Sequence, residues 1–331
     1  MNSFDFSKIN GKRAAITGGD GFLGSNLARR LLDLGMFVTV FSEKGHEIKN
    51  LQDIRNNKNL KFIEGDLTDA EKVSELIHNQ DYLFHFAWQT DLKKSMVHPI
   101  DDLKNDLAGI LNILETCRKE NPGIKIIFPS AVTVIGLTEK LPSNEDEAEN
   151  PLSIYEANKL AAEKYLQIYS KVHHIKNCVL RLSNIFGEYQ RIDNPNRGVL
   201  NFMIGRALRG EILTVYGTGE WIRDYCYVQN YMDAFILAAI SEETNGKLYV
   251  LGSGIGKTFN EVVEKIKEIV ERKIGQDVAI THVPFPKEEN EINKRNFIAD
   301  FSRFGKDTGW APQISFDDGL ERTIEFYLHK A

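Results

Sequence analysis

Two groups of residues in this chain combine type and spacing in a way that could carry chemistry: Thr17-Gly18-Gly19-Asp20-Gly21-Phe22-Leu23-Gly24 and Tyr155-Glu156-Ala157-Asn158-Lys159. In the first, Gly18 would allow a tight turn, Gly21 would let backbone amides approach a pyrophosphate, and Gly24 would let a following helix pack close to the preceding strand. The anion would then lie at a helix N-terminus, where unpaired N–H groups and the helix dipole favour negative charge. In the second, Tyr155 and Lys159 are four residues apart and so share one face of a helix. A phenol titrating at about 10 is a poor base at neutral pH, but an adjacent ammonium and an oxidised nicotinamide both favour its phenolate. Tyr155 could then accept the proton of a hydroxyl as hydride leaves the same carbon, with Lys159 tuning the phenol and holding the cofactor ribose. A glycine-rich turn can exist without a ligand, and Tyr-x-x-x-Lys is usually a surface pair. In this order and company they describe a dinucleotide-dependent redox enzyme.

These groups need a scaffold, and the hydrophobic pattern supplies one. Arg13-Ala14-Ala15-Ile16-Thr17 reads as a buried first strand, and residues 25–34 as the helix leaving the turn. Residues 37–41, 60–64, 82–87 and 125–130 read as the next four strands, alternating with helical patterns. That alternation predicts an α/β fold, a Rossmann-like parallel sheet with helices on both faces, and places function at the carboxyl ends of its strands. Glu43, in Ser42-Glu43-Lys44 at the end of the second strand, could hold the ribose hydroxyls of NAD; Ser42 and Lys44 could instead tolerate the 2′-phosphate of NADP. NAD is the favoured reading. Asp66, at the end of the third strand, is placed to accept from an adenine amino group or to cap the next helix. Ser153-Ile154-Tyr155-Glu156 has the form of a capping box opening the helix that carries Tyr155 and Lys159, with helical apolar spacing continuing to Ser170.

Further segments in the same order extend the pattern: Gly65-Asp66-Leu67, His85-Phe86-Ala87, Arg181-Leu182-Ser183-Asn184-Ile185-Phe186-Gly187, Arg223-Asp224-Tyr225-Cys226-Tyr227-Val228 and Thr308-Gly309-Trp310-Ala311-Pro312. With the glycine turn and the Tyr/Lys pair, the chain resembles, over nearly its whole length, the extended short-chain dehydrogenases/reductases of the NAD-dependent nucleotide-sugar epimerase/dehydratase family. The resemblance implies an NAD-binding Rossmann domain over residues 1–180, including the catalytic helix. A smaller C-terminal substrate-binding lobe would occupy mainly 181–331, with segments returning to the first domain. It implies that the cofactor meets Gly18, Gly21, Phe22, Leu23, Gly24, Glu43, Asp66, Leu67, Ala87 and Lys159. A nucleoside-diphosphate sugar would meet Asn184, Arg223 and Arg295. Arginine suits the diphosphate because its fixed fork makes paired, charge-assisted bonds to phosphate oxygens; Arg295 could equally be a solvent-facing charge. A homodimer is also implied, with residues 101–119 and 155–172 as a four-helix seam, although the same apolar stripes could be monomer core.

The chain departs from that pattern around the reaction centre. Ala131 stands where a serine or threonine is usual, five residues before Gly136, so Ser130 or Thr133 would supply the hydroxyl that steadies the substrate oxygen, with Ser130 preferred. Ile135 replaces a tyrosine, Asp106 an asparagine near the cofactor, and Trp88 a small residue beside the nicotinamide. Dehydratases of the group carry an Asp-Glu pair after that threonine, and decarboxylases tend to keep the glutamate; here Val132 and Thr133 follow Ala131. By elimination the expected activity is epimerisation of a nucleoside-diphosphate sugar, at C4, through a transient keto-sugar. The rival is an NAD(P)H-dependent reductase of a nucleoside-diphosphate keto-sugar, which would use the same motifs. A non-catalytic sugar-nucleotide sensor would have lost Tyr155 or Lys159.

Bulk properties narrow the classes. The 331 residues can bury a substantial core, and a net charge of −6 without a long basic tract argues against nucleic acid as a partner. Cys117, Cys178 and Cys226 are scattered, with neither metal-ligand nor disulfide spacing, and His46, His173 and His174 lack companions at ligand spacing, so no metal is expected. No apolar run is long enough to span a bilayer and the N-terminal residues do not form a signal peptide, so no membrane partner and a cytoplasmic location are expected. Residues 139–150 and 189–198 read as loops, 202–208 as a helix and 213–216 as a strand. Gly252-Ser253-Gly254-Ile255-Gly256-Lys257-Thr258 is one residue short of a nucleotide-hydrolase phosphate loop and reads as the loop before a helix over 259–270.

Overall fold

The computed structural model describes residues 4–45, 47–138, 140–285 and 294–330; His46 and Glu139 lie outside them. Mostly buried apolar runs form β1 (Arg13–Thr17), β2 (Phe37–Ser42), β4 (Tyr82–His85), β5 (Lys125–Ala131) and β6 (Asn177–Leu182), while β3 (Leu60–Glu64) is an edge strand with only Ile63 buried. Then follow β7 (Asn184–Phe186), β8 (Leu213–Tyr216), β9 (Ile222–Tyr227), β10 (Lys247–Leu251), β11 (Gly256–Thr258) and β12 (Ile280–Val283). The central sheet has seven strands in the order β10-β6-β5-β4-β1-β2-β3, all parallel. Chain order runs outward in opposite directions from β1 and β4, so the crevice between their carboxyl ends is the topological switch point, the usual ligand position in such sheets. β6 crosses residue 180, and β10 joins the sheet beyond it at the edge.

Helices cover both faces. They are α1 (Phe22–Asp33), α2 (Ala70–Ile77), α3 (Leu92–Val97), α4 (Pro99–Asp102), α5 (Ala108–Glu120) and α6 (Ile154–His173), then α7 (Val199–Leu208), α8 (Val228–Ile240), α9 (Phe259–Ile274), α10 (Ser302–Thr308) and α11 (Phe316–Leu328). Alternation along β1 decides the layering: Ala14 and Ile16 pack with Leu27, Ala28 and Leu31 of α1 and with α8, whereas Ala15 packs with Val73 of α2, Ile113 of α5 and Leu166 of α6. Outside the main sheet, β9 pairs in parallel with β7 and antiparallel with β11, and β8 pairs with β12. No helix among the described residues is long and apolar enough to cross a membrane.

The structure corrects some local expectations. α1 begins at Phe22 rather than residue 25, because the Gly21 carbonyl already accepts from Ser25 N at 3.0 Å. The helix expected over 101–119 is broken into α4 and α5 by a π-helical stretch, Leu103–Leu107, a wide turn often found near functional sites. The capping box of α6 is only half formed. Ser153 accepts from Glu156 N, but the Glu156 carboxylate accepts from Leu152 N at 2.7 Å instead of from Ser153 N. The complete capping box is Thr258 with Glu261, which opens α9.

Candidate active site

The glycine turn closes over the switch point. Gly18 sits at φ +63°, and a Cβ there would lie 2.8 Å from Ala87 N, so the β1 turn and the chain leaving β4 touch through bare backbone. A Cβ on Gly24 would lie 2.3 Å from Gly18 O, which explains how Phe22, Leu23 and Gly24 start α1 directly above the strand end. The N-cap residue, Gly21, brings no side chain to that N-terminus, whose first-turn amides can face an anion. Beneath it, Thr17 Oγ1 accepts from Ala87 N at 3.1 Å and lies 2.8 Å from His85 Nδ1. Burial, helped by the Lys159 charge, lowers the His85 pKa to about 3, so the ring is neutral. Glu43 is exposed just past β2 and Asp66 just past β3, on adjacent strands. Asp66 Oδ1 accepts from Thr68 N and Oγ1 at 2.8 and 2.7 Å, while the cap of α2 is Asp69. Leu67 follows, its carbonyl held by Asn112 Nδ2 at 2.7 Å and its side chain against Gly109 of α5.

The helix α6 delivers Tyr155 and Lys159 beside the ends of β4 and β5. Lys159 Nζ donates to Pro129 O at 2.8 Å and lies between aromatic faces, 4.1 Å from the Trp88 ring centroid and 4.4 Å from that of Phe128. Those faces favour the ammonium, whereas burial disfavours it; the net direction for Lys159 is downward, opposed by the charge of Asp106. Tyr155 shows the opposite of the simple expectation: burial, and then the carboxylates Asp106, Glu156 and Asp102, push the phenol up. Ser130 Oγ, at the end of β5, and Thr133 Oγ1, in the 3-10 turn Val132–Ile135, are both buried with no hydrogen-bond partner among the described residues, so both hydroxyls are available at this site.

Sequence reasoning missed a polar web around this pair. Gln89 N donates to Asp106 Oδ1 at 3.1 Å and Gln89 Nε2 to Asp102 Oδ1 at 2.8 Å, tying the loop after β4 to the π-helical turn. Asp102 and Asp106 are buried, each with a second carboxylate oxygen that has no partner among the described residues. Their spacing of four, matching that of Tyr155 and Lys159, was the available signal.

The substrate-side candidates come from distant segments. Asn184 of β7 lies opposite Tyr225 of β9. Asn296 Oδ1 accepts from Ile222 N at 2.8 Å and Phe297 N donates to Ile222 O at 3.0 Å, seating the 295–297 segment along β9. This brings Arg295 beside Arg223: burial, and then the Arg223 charge, lower the Arg295 pKa to about 9, against the pull of Glu156 and Tyr225. Burial lowers that of Arg223 as well. Both guanidinium side chains are partly withdrawn from solvent, so Arg295 is not a fully solvent-facing charge. The glycine loop at 252–258 is occupied otherwise. Asp224, buried in β9, accepts from Ser253 N at 2.7 Å, Gly254 N at 2.9 Å and Ala299 N at 3.1 Å, so an internal carboxylate takes the amides a phosphate would need.

The family model described as GDP-mannose 4,6 dehydratase matches residues 15–323. The chain belongs to this family. Its members here are extended short-chain dehydrogenases/reductases, and the fold is shared along the whole chain. The crystal structure of UDP-glucose 4-epimerase from Thermotoga maritima with UDP-glucose is 30% identical, with a TM-score of 0.86, covering 96% of this chain and 99% of that one. The UDP-glucose 4-epimerase of Thermus thermophilus, solved with NAD, is 28% identical at TM-score 0.84, covering 96% and 100%. A UDP-N-acetyl-alpha-D-glucosaminuronate decarboxylase from Bacillus cytotoxicus is 29% identical over 324 residues, covering 96% of this chain and 98% of the relative.

Proposed function

We propose that this family member is an NAD-dependent epimerase of a nucleoside-diphosphate sugar, acting at C4 through a transient keto-sugar. The observation that carries the reading is the convergence of two devices: Lys159, one helical turn after Tyr155, is held against the end of β5, and the 295–297 segment seated along β9 brings Arg295 beside Arg223. The glycine turn at Gly18, Gly21 and Gly24 and the uncapped start of α1 at Phe22 and Leu23 fit a dinucleotide pyrophosphate. Glu43 would hold its ribose, Asp66 its adenine, and Leu67 and Ala87 the walls of its cleft. Bound NAD supplies a hydride acceptor that later returns the hydride, so it is not consumed. Tyr155 takes the proton of the C4 hydroxyl and, after the keto-sugar has turned to offer the opposite face of C4 for reduction, gives it back to the same oxygen. Lys159 holds the cofactor ribose and favours the phenolate, and Ser130 or Thr133 donates to the substrate oxygen. Arg223 and Arg295 grip the diphosphate while Asn184 meets the sugar side. Val132 and Thr133, in place of an acid pair, leave no added proton-transfer device for loss of water at that position.

The division of labour follows: residues 1–180 mainly bind NAD and 181–331 mainly bind substrate. The exposed apolar side chains Leu103, Ile168 and Val172 support a homodimer through the expected helical seam, and a cytoplasmic location suits a substrate and cofactor of this kind. The test is NMR detection of products after incubation with a panel of nucleoside-diphosphate sugars and substoichiometric NAD. Many turnovers to a stereoisomer are expected, falling by about 10³-fold in Tyr155→Phe with an unchanged melting temperature. Conversion only of a keto-sugar with stoichiometric NADH or NADPH would overturn the epimerase in favour of the reductase.

A further inference from the structure

Lys159 sits in a corner of aromatic rings that has no place in the mechanism above. Its Nζ donates to Pro129 O at 2.8 Å and lies 4.1 Å from the centroid of the Trp88 ring and 4.4 Å from that of Phe128. The two rings meet edge to face with centroids 5.3 Å apart, and His85 stacks on Phe128 at 5.8 Å. Phe128 belongs to β5, whereas Trp88 lies in the segment between β4 and α3.

No carboxylate among the described residues is in hydrogen-bond contact with this buried ammonium. Glu163, one turn along α6, is held by Arg181 Nε and Nη2 at 3.0 and 2.7 Å, and Asp106 of the π-helical turn accepts from Gln89 N at 3.1 Å. The titratable groups that face Lys159 are those two carboxylates, which favour its charge from a distance, and the neutral ring of His85. A charge withdrawn from water without a contact partner of opposite sign is costly, and the negative faces of aromatic rings offset part of that cost. Trp88 is not placed by its own polar group, since its Nε1 is buried without a partner among the described residues. An aliphatic side chain could also pack against Phe128; what the indole adds is a face that attracts a cation.

We propose that Trp88 is a positioning residue for the proton-transfer pair: its indole face, with the Phe128 ring and the Pro129 carbonyl, seats the Lys159 ammonium and keeps it charged while it is out of water. The inference rests on the proposed role of Lys159.

NMR of the protein carrying lysine isotopically labelled at Cε reads this seat without turnover, the Lys159 signal being the one that disappears in Lys159→Arg. Ring currents from two faces should hold the Lys159 ε protons upfield of the ordinary lysine position in the parent, and Trp88→Leu should move them downfield. On titration, Lys159 should lose its proton about one pH unit lower in Trp88→Leu than in the parent, with Trp88→Phe between the two because it retains a weaker face. The alkaline limb of the kcat–pH profile should move to lower pH with it; a merely structural role would lower the melting temperature and leave that limb in place. Identical ε-proton positions and titrations in Trp88→Leu and the parent would overturn the proposal, as would a Lys159 proton lost at higher pH in the variant. Should Trp88→Leu not fold, Trp88→Phe against the parent makes the same comparison with a smaller shift. If no nucleotide sugar is converted, the epimerase reading falls while the lysine signal still decides the role of Trp88.

Discussion

His85 shows how burial converts one side chain into both a clamp and a pH liability. Its ring stacks on Phe128 with centroids 5.8 Å apart and shares a hydrogen bond with the Thr17 hydroxyl, joining the ends of β1 and β4 under the glycine turn. Because its pKa falls from 6.5 to about 3 on folding, the unfolded chain binds more protons between those values. Its contribution to stability is present above pH 6.5 and is lost as pH falls through the window, at up to about 1.4 kcal/mol per pH unit. Chemical unfolding of the parent and of His85→Asn across this range should show the parent losing stability more steeply; parallel curves would mean that the ring is not held neutral. The same desolvation acts on Tyr155, which is why an ammonium four residues away does not by itself make the phenol a base.

At the scale of elements, the glycine turn is a packing device before it is a binding device. A Cβ at Gly24 would meet backbone, Gly18 O at 2.3 Å and Gly19 Cα at 2.5 Å, and neither can swing aside. Gly24→Ala should destabilise the fold by about 1–3 kcal/mol and weaken NAD binding, because α1 must lift from the strand and carry its amides with it. Gly123→Ala is the control, since a Cβ there meets nothing within 4 Å and the backbone is not left-handed. Equal melting temperatures and NAD affinities for the two variants would remove the argument. The π-helical turn is another element whose irregularity has a use: it brings Asp106 to the Gln89 amide while Asp102, one turn earlier, holds the Gln89 side chain.

At the scale of the whole molecule, a buried carboxylate draws distant segments together. Asp224 gathers the loop after β10, the chain at Ala299 and, through its strand, Arg223 into one block. Asp224→Ala would strand the amides of Ser253, Gly254 and Ala299 and should cost about 3 kcal/mol or more, seen as a lower denaturant midpoint. The KM for the nucleotide sugar should rise with it, because the block seats Arg223 and Arg295 together. A variant as stable as the parent would show that these amides find other partners.

Much of the fold was legible in the sequence, for reasons that are local. Strand and helix periodicities, the glycines, and the four-residue step from Tyr155 to Lys159 are set by neighbours along the chain, so they specified the Rossmann-like sheet and the two chemical devices. Helix bounds slipped where backbone bonding began earlier than apolar spacing, as at Phe22, or where a π-helical turn broke the period, as at Leu103. What only the tertiary structure decided are the meetings of distant segments: Arg295 with Arg223, Asp224 with the loop at 252–258, and Asp102 and Asp106 with Gln89. Charge and hydrogen-bonding capacity are visible residue by residue, but desolvation and partnership arise only when the packed core brings those groups together and removes the water between them.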